Sequence, residues 1–252
     1  MKSCNVLTAY TALFAAVAAS LAVGAQREPQ LTVEQQKEFL LNAKVIKSDP
    51  AQRLATGCER ITLSDGRITH YARFQVYSYP YNLAAYELAQ LVGLGDMVPV
   101  TVERKLLGQT GALEWFLPIQ MIETERIRKK IQPPDASAWN VQMGNVRVFA
   151  YLVSDINRHP DNLLIRKDWK LCMIDFSRAF RPYRELDNLR DLVKCSRALF
   201  DNLRKLDEAE VTTRTKKYLN SFEIQGVLAR RDKIVAHLEK LIAEKGEAQV
   251  IH

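Results

Sequence analysis

The chain has 252 residues, of which 47% are hydrophobic and 26% are charged, as in an ordinary globular protein. This length suits one large domain, or two lobes that share a cleft. After the first residues no apolar run is long enough to cross a bilayer, which excludes a multi-span membrane protein. The formal net charge of +7 permits phosphate-bearing partners, but the basic residues are interleaved with helical patterns, and we expect no nucleic-acid partner.

The N-terminus has the features of a secretory signal peptide. Lys2 precedes an uncharged apolar run from Val6 to Val23, and small residues end at Ala25. We interpret residues 1–25 as a leader that is removed, residues 26–30 as a linker, and the mature protein as exported to the periplasm or the cell exterior. The alternative is an uncleaved leader that tethers the chain to a membrane, although the run is short for a stable span.

The cysteines indicate no disulfide framework. Without the leader, Cys58, Cys172 and Cys195 remain, and an odd, scattered set is typical of neither a disulfide scaffold nor a metal knuckle. One disulfide bridge stays open as an alternative. Cys172 lies in an apolar predicted strand, so we expect a buried free thiol there.

The first half of the mature chain is predicted to be rich in strands. Thr32 and Gln35 have the spacing of a capping box at the start of a helix. Asp65-Gly66 between two alternating runs predicts a β-hairpin. The predicted elements are a helix from Thr32, an extended stretch Ala43–Lys47, strands Glu59–Leu63 and Ile68–Val76, a helix Tyr81–Leu94, and strands Val98–Val102 and Ala112–Met121.

The second half is predicted to be mostly helical. Its elements are a helix Trp139–Val153, short strands Leu163–Ile165 and Leu171–Ile174, and helical sequence Glu185–Lys245, with Asn220 and Glu223 spaced as a cap. We therefore predict an α+β fold for residues 31–252. A small strand-rich lobe would span about 31–125, a mostly helical lobe about 126–252, and a cleft would lie where they meet.

One polar loop and one strand end carry the chemical signal. Asn157-Arg158-His159-Pro160-Asp161-Asn162 leads into an apolar strand, and the next strand ends at Asp175. Magnesium prefers oxygen ligands, which the Asn162 amide and the Asp175 carboxylate would supply from two turns at one edge. The spacing therefore predicts a magnesium site, and a metal ion held in this way is able to bridge phosphate oxygens.

These motifs resemble those of a known superfamily. The loop and the following Ile174-Asp175-Phe176 look like the catalytic loop and metal-binding aspartate of the phosphoinositide-kinase-like and HipA-like atypical kinases. The wider chain resembles uncharacterised exported bacterial proteins of this superfamily. Further motifs that carry that resemblance are Leu63-Ser64-Asp65-Gly66, Ala84-Ala85-Tyr86-Glu87-Leu88, Val98-Pro99-Val100-Thr101-Val102-Glu103-Arg104 and Arg178-Ala179-Phe180.

The resemblance implies a two-lobed protein-kinase-like fold that binds ATP and Mg²⁺. The implied site residues are Asn157, Asp155, Arg158, His159 and Asp161 for catalysis, Asp65, Gly66, Gln75 and Glu87 for the nucleotide, and Asn162 and Asp175 for the metal. In such a fold the Asp65-Gly66 turn would cover phosphates. Glu87 would be the helix glutamate that pairs with a strand lysine.

Two positions depart from the pattern of the superfamily. Asn157 stands where the catalytic aspartate is expected, and an amide cannot act as a base. Asp155 or Asp161 would have to replace that aspartate. Gln75 stands where the phosphate-holding lysine is expected, and we assign Arg73 to the opposite face of the same strand. Without a cation there, γ-phosphate charge is less well compensated.

Three functions are compatible with these residues. The first is an ATP- and Mg²⁺-dependent phosphotransferase that acts on a protein, lipid or small-molecule acceptor. The second is a pseudokinase, a binding module that has lost catalysis. The third is an exported scaffold without nucleotide binding, which recognises a partner through its basic helices.

Overall fold

A five-stranded antiparallel sheet forms the N-terminal half. The computed structural model describes residues 31–54, 58–155, 158–186 and 188–252, so the predicted leader and linker lie outside the described residues. The strands lie in the order β1-β2-β3-β5-β4. The elements of this half are α1 (Val33–Asn42), β1 (Lys44–Leu54), β2 (Cys58–Ser64), β3 (Thr69–Gln75), α2 (Tyr79–Leu91), β4 (Thr101–Leu106) and β5 (Gln109–Trp115).

Helix α1 begins and ends at defined hydrogen bonds. The Thr32 hydroxyl accepts a hydrogen bond from the Gln35 backbone N–H, and the Gln35 side chain accepts one from the Thr32 N–H, which confirms the predicted capping box. At the other end Arg104 of β4 donates to the carbonyls of Leu40 and Ala43, at 2.6 and 2.7 Å. These donors satisfy carbonyls that a helix end leaves free, and they fasten α1 to the sheet.

The two faces of β3 have different surroundings. His70 lies on the face toward α1, where its ring stacks on Trp115 at 3.6 Å and Phe39 meets Trp115 edge-on. Residues two apart share a face of a strand, so Arg73 and Gln75 both point to the opposite side. Our assignment of these two residues to different faces was therefore wrong.

The C-terminal half is mostly helical and contains a small three-stranded sheet in the order β6-β7-β8. Residues Leu31 to His252 pack as one compact unit. The elements are β6 (Ile119–Ile122), α3 (Glu123–Arg128), α4 (Ala136–Leu152), a 3₁₀ turn (Pro160–Asn162), β7 (Leu163–Arg166), β8 (Leu171–Met173), α5 (Arg197–Lys205), α6 (Glu208–Thr215), α7 (Ser221–Lys245) and α8 (Glu247–Val250). The predicted α+β class is confirmed.

Three predicted elements differ from the structure. The strand predicted over 98–102 is β4, which begins at Thr101 and continues to Leu106. The single strand predicted over 112–121 is two strands, β5 and β6, because the chain leaves one sheet at Phe116–Pro118 and joins the other. Residues 185–186 and 188–195, predicted as helix, are not helical. There the Asn188 side chain accepts from the Arg190 N–H at 3.0 Å, a local bond that competes with helix formation. Within the described part of the chain, no helix has the length and apolar character needed to cross a membrane.

Candidate functional site

The hairpin of β7 and β8 brings the two predicted metal ligands to one end of the small sheet. Leu163 pairs with Met173, and the Ile174 N–H donates to the Asn162 carbonyl at 3.0 Å. Asn162 therefore lies just before β7, at the same end of the hairpin where Asp175 follows β8. Their roles as metal ligands stay a prediction, but the two turns lie at the same edge.

Asp175 has an unusual backbone conformation. Its φ of 57° is in the left-handed region, which few residues other than glycine adopt, and the residue is 5% exposed. One carboxylate oxygen accepts a hydrogen bond from the Ser177 N–H at 3.2 Å. Strained conformations of this kind cluster at functional sites, where the surrounding structure maintains them.

Arg158 fastens the loop to the hairpin. Its guanidinium forms an ion pair with Asp155 at 2.6 Å, and it donates to the carbonyls of Asn162 and Ile174. It also lies over the Phe176 ring at 4.2 Å. Burial lowers the pKa of Arg158 and raises the pKa of Asp155, and the neighbouring charge of each partner opposes that shift. Arg158 and Asp155 thus stabilise each other inside the molecule.

The remaining residues of the predicted catalytic loop face outward. The His159 Nδ1 atom accepts a hydrogen bond from the Asp161 N–H at 3.2 Å, and the side chains are 66% and 40% exposed. Asn157 lies outside the described residues. The structure therefore does not bring Asp161 together with Asp175, and Asp155 is already paired with Arg158.

Next to Asp175, the large sheet contributes a buried group of charged and polar side chains. The Arg73 guanidinium forms an ion pair with Glu114 of β5 at 3.0 Å, and both side chains are 4% exposed. Arg73 also donates to the Cys58 sulfur at 3.2 Å. Burial raises the pKa of Glu114, although Arg73 opposes that shift. We call Cys58, Arg73, Gln75 and Glu114 the sheet side of the site, and Asp155, Arg158, Asn162 and Asp175 the hairpin side.

Gln75 joins the two sides. Its amide nitrogen lies 3.4 Å from the Asp175 carboxylate, and its amide oxygen accepts from the Cys58 thiol at 3.1 Å. Gln75 itself is 1% exposed. The predicted nucleotide-binding glutamine thus contacts the predicted metal-binding aspartate directly.

Helix α2 supplies a contact that the sequence analysis did not identify. The Asn82 side-chain oxygen accepts from the Phe176 N–H at 2.8 Å, and Asn82 is 1% exposed. Glu87 of the same helix pairs instead with Arg214 of α6 at 2.5 Å, so the structure does not place it in the site. Asn82 within the apolar run of α2 and Glu114 within an apolar strand were signals available in the sequence, since buried polar residues are informative.

The Asp65-Gly66 turn lies at the far end of its hairpin. Strand β3 runs from Thr69, beside the turn, to Gln75, beside Asp175, a distance of about 20 Å at the usual rise per residue. The turn instead borders a cavity of about 710 Å³ against α1, with Asp65 accepting from the N–H of Ile68 at 2.7 Å. The structure therefore does not bring Asp65 and Gly66 to the site, and residues 55–57 at the opposite end lie outside the described residues.

The two sides fit a magnesium nucleotide unequally. On the hairpin side, one amide and one carboxylate are a donor set that suits Mg²⁺, which binds few protein groups and keeps phosphate and water ligands. On the sheet side, the cation that could hold phosphate is paired with Glu114. Among the described residues no group of three or more His, Cys, Asp or Glu side chains is arranged to hold a metal ion alone.

Comparison with known proteins identifies the fold. No family model and no curated protein sequence matches the chain. A hydra Fam20 structure, solved with sugar, has a TM-score of 0.66 at 13% identity, over 87% of this chain and 92% of its own. The Helicobacter pylori proinflammatory kinase CtkA has a TM-score of 0.51 at 10% identity, over 79% and 96%. At these identities the likeness shows an atypical kinase-like fold and nothing about activity.

Proposed function

We propose that this chain, whose fold is that of the atypical kinases, is a pseudokinase: a binding protein in which phosphoryl transfer is lost. The observation that carries the proposal is the contact of Gln75 with Asp175 next to the Arg73–Glu114 ion pair. Gln75 contacts the carboxylate that would bind the metal, and Glu114 pairs with the cation that would bind phosphate.

The charge balance on the sheet side supports this proposal. A transferred phosphoryl group requires a cation that is free to compensate its charge. On the sheet side the buried cation is Arg73, which pairs with the Glu114 carboxylate at 3.0 Å. Separating this pair would leave a carboxylate unpaired in a dry site, which costs several kcal/mol, on the order of 3–5.

The sequence of the predicted catalytic loop also supports the proposed loss of phosphoryl transfer. Asn157 replaces the expected base, and an amide oxygen is too weakly basic to take a proton from an acceptor hydroxyl. The two carboxylates considered as substitutes are Asp155, which pairs with Arg158, and Asp161, which faces outward beside His159. The export proposed from the leader would also separate the protein from cytosolic ATP.

One observation favours the second candidate function, an active atypical kinase that uses ATP and Mg²⁺. Asp175 keeps a strained left-handed conformation, and Asn162 lies at the same edge. Strained conformations of this kind are common at functional sites, so this one fits a metal-binding role for Asp175.

Transfer of labelled phosphate from ATP, with magnesium or manganese, separates the two candidates. We expect the wild type and Asp175→Ala to give the same background, because neither transfers phosphate. Lys240→Met, a surface change on α7, is the matched control for handling and stability. Phosphate transfer or ATP hydrolysis by the wild type that Asp175→Ala abolishes would establish the active kinase instead.

A further inference from the structure

An arginine-rich segment follows Asp175 and is exposed. Arg178, Arg181 and Arg184 lie within seven residues that contain no acidic residue, and all three are exposed. Tyr183 between them is 67% exposed. We call residues 178–184 the arginine segment. It borders the candidate site because only two residues separate Arg178 from Asp175.

Among the described residues these arginines resemble Arg67, Arg128 and Arg147, which are exposed and form no ion pair, and differ from arginines that do. Arg166, Arg197 and Arg214 each pair with a carboxylate, at 3.2 Å or less. In the part of the chain that the structure describes, the three arginines of the segment have no such partner. The charge of Arg178 acts on the buried Asp155 carboxylate, but no ion pair joins them, so an external anion would give each of the three guanidinium groups a direct partner.

The backbone of the segment is held from inside by Arg230. This residue of α7 is completely buried and donates to the carbonyls of Leu152, Arg181 and Tyr183, the first two at 2.9 Å. Gly226 allows the close approach, since a side chain there would meet Arg230 and the Arg181 carbonyl. Because the carbonyls point inward, the segment is fixed before any partner arrives, which lowers the entropy that binding would lose.

The spacing of the arginines favours a linear partner. Consecutive arginines are three residues apart, at most about 10 Å along the chain, so one small anion cannot reach all three. Glu185, which pairs with Lys233, and Asp191 follow the segment and limit the positive surface on that side. A narrow positive row suits an extended acidic peptide better than the broad surface of a membrane or a nucleic-acid duplex.

We propose that the arginine segment binds an acidic protein segment whose carboxylates pair with Arg178, Arg181 and Arg184 while Tyr183 packs beside it. Guanidinium groups pair with carboxylates bidentately, and exposed aromatic residues commonly anchor interfaces. This inference names the partner class of the binding protein proposed above and rests on that proposal.

Fluorescence anisotropy with a labelled oligo-glutamate peptide tests it, with an oligo-glutamine peptide as the uncharged probe. We expect saturable, salt-sensitive binding of the glutamate peptide to the purified wild-type chain. The triple variant Arg178→Gln, Arg181→Gln and Arg184→Gln should bind about tenfold or more weakly, from three exposed charge pairs. A control triple variant, Arg67→Gln, Arg128→Gln and Arg147→Gln, removes the same charge from exposed sites elsewhere and should stay within about twofold of wild type.

Three results would overturn the inference: no binding of the glutamate peptide, an equal loss in both triple variants, or tighter binding of anionic vesicles or single-stranded DNA than of the peptide. The peptide assay and the ATP assay test the two proposals independently of each other. Absent peptide binding with absent phosphate transfer removes only this inference, whereas phosphate transfer removes the proposed function whatever the peptide does.

Discussion

The hairpin side and the sheet side of the site differ in what their polar groups do. On the hairpin side, Arg158 is used to fasten a loop, and Asn162 and Asp175 are left at one edge of β7 and β8. On the sheet side, the Arg73 cation is neutralised by Glu114. One side places an amide and a carboxylate at one edge of a hairpin, and the other pairs its charges within the large sheet.

This difference teaches that two sides of one kinase-like fold can use their buried polar groups in different ways. The sheet-side ion pair is internal to the N-terminal half, because Arg73 and Glu114 are cross-strand neighbours on β3 and β5. The pair therefore lies within one sheet and forms without a ligand. The following changes would break or sharpen the contrast between the two sides.

Loss of the Glu114 carboxylate should have the largest effect. Glu114→Ala leaves the buried Arg73 guanidinium without its partner, and we expect the free energy of unfolding to fall by about 3–5 kcal/mol in urea denaturation. The double variant Arg73→Met and Glu114→Leu should recover most of that loss, since apolar residues replace both charges. A loss under about 1 kcal/mol for Glu114→Ala would mean that the pair is not desolvated.

Loss of Arg230 should loosen the arginine segment. Arg230→Met removes donors from three carbonyls, and we expect the free energy of unfolding to fall by about 2 kcal/mol. Trypsin should then cut faster after Arg184, as measured by mass spectrometry of early fragments. Lys240→Met, on the exposed face of the same helix, should leave cleavage unchanged. Equal cleavage rates in both variants would show that Arg230 does not hold the segment.

Asn82 should connect α2 to the strand end at Asp175. Asn82→Leu leaves the buried Phe176 N–H without an acceptor, which costs about 1–3 kcal/mol. Hydrogen exchange at the Phe176 amide should become faster, while Asn82→Asp, which keeps an acceptor, should preserve its protection. Unchanged exchange in Asn82→Leu would argue that another acceptor takes over.

The smallest effect concerns the thiols. Burial raises the pKa of Cys58 to about 11 and the pKa values of Cys172 and Cys195 to about 12, so at pH 8 all three should stay protonated and resist iodoacetamide. As pH rises toward 11, Cys58 should react first.

Gln75→Ala opens the sheet side and should increase alkylation at Cys58 while Cys172 stays protected, as read by peptide mass spectrometry. The free energy of unfolding should fall by only about 1 kcal/mol. Equal reactivity of Cys58 and Cys172 in this variant would show general unfolding, and the contrast between the two sides would lose its support.

Local sequence signals predicted much of the fold. The capping boxes of α1 and α7 and the Asp65-Gly66 hairpin depend on residues a few positions apart, and the structure confirms them. Such signals can be seen in the sequence because the partners are neighbours in the chain. The absence of helix at residues 188–195 was missed because it involves partners remote in sequence, such as the Tyr151 hydroxyl, which donates to the Asn188 carbonyl.

The candidate site was predictable only in part for the same reason. Asn162 and Asp175 lie on a short hairpin, so their shared edge follows from local pairing. Glu114 and Asn82 reach the site from elements remote in sequence, through a cross-strand ion pair and a helix contact. Glu87 was placed in the site by its sequence motif, but it pairs with Arg214, which lies more than a hundred residues away in the chain and outside the site.

Isothermal titration of magnesium ATP into the wild-type chain tests the central claim most directly. If the sheet side is occupied by its own ion pair, no saturable heat should appear at micromolar nucleotide, and Asp175→Ala should give the same trace as the wild type. Micromolar binding by the wild type that Asp175→Ala abolishes would contradict the account, because it would show that the cleft opens and grips a metal nucleotide.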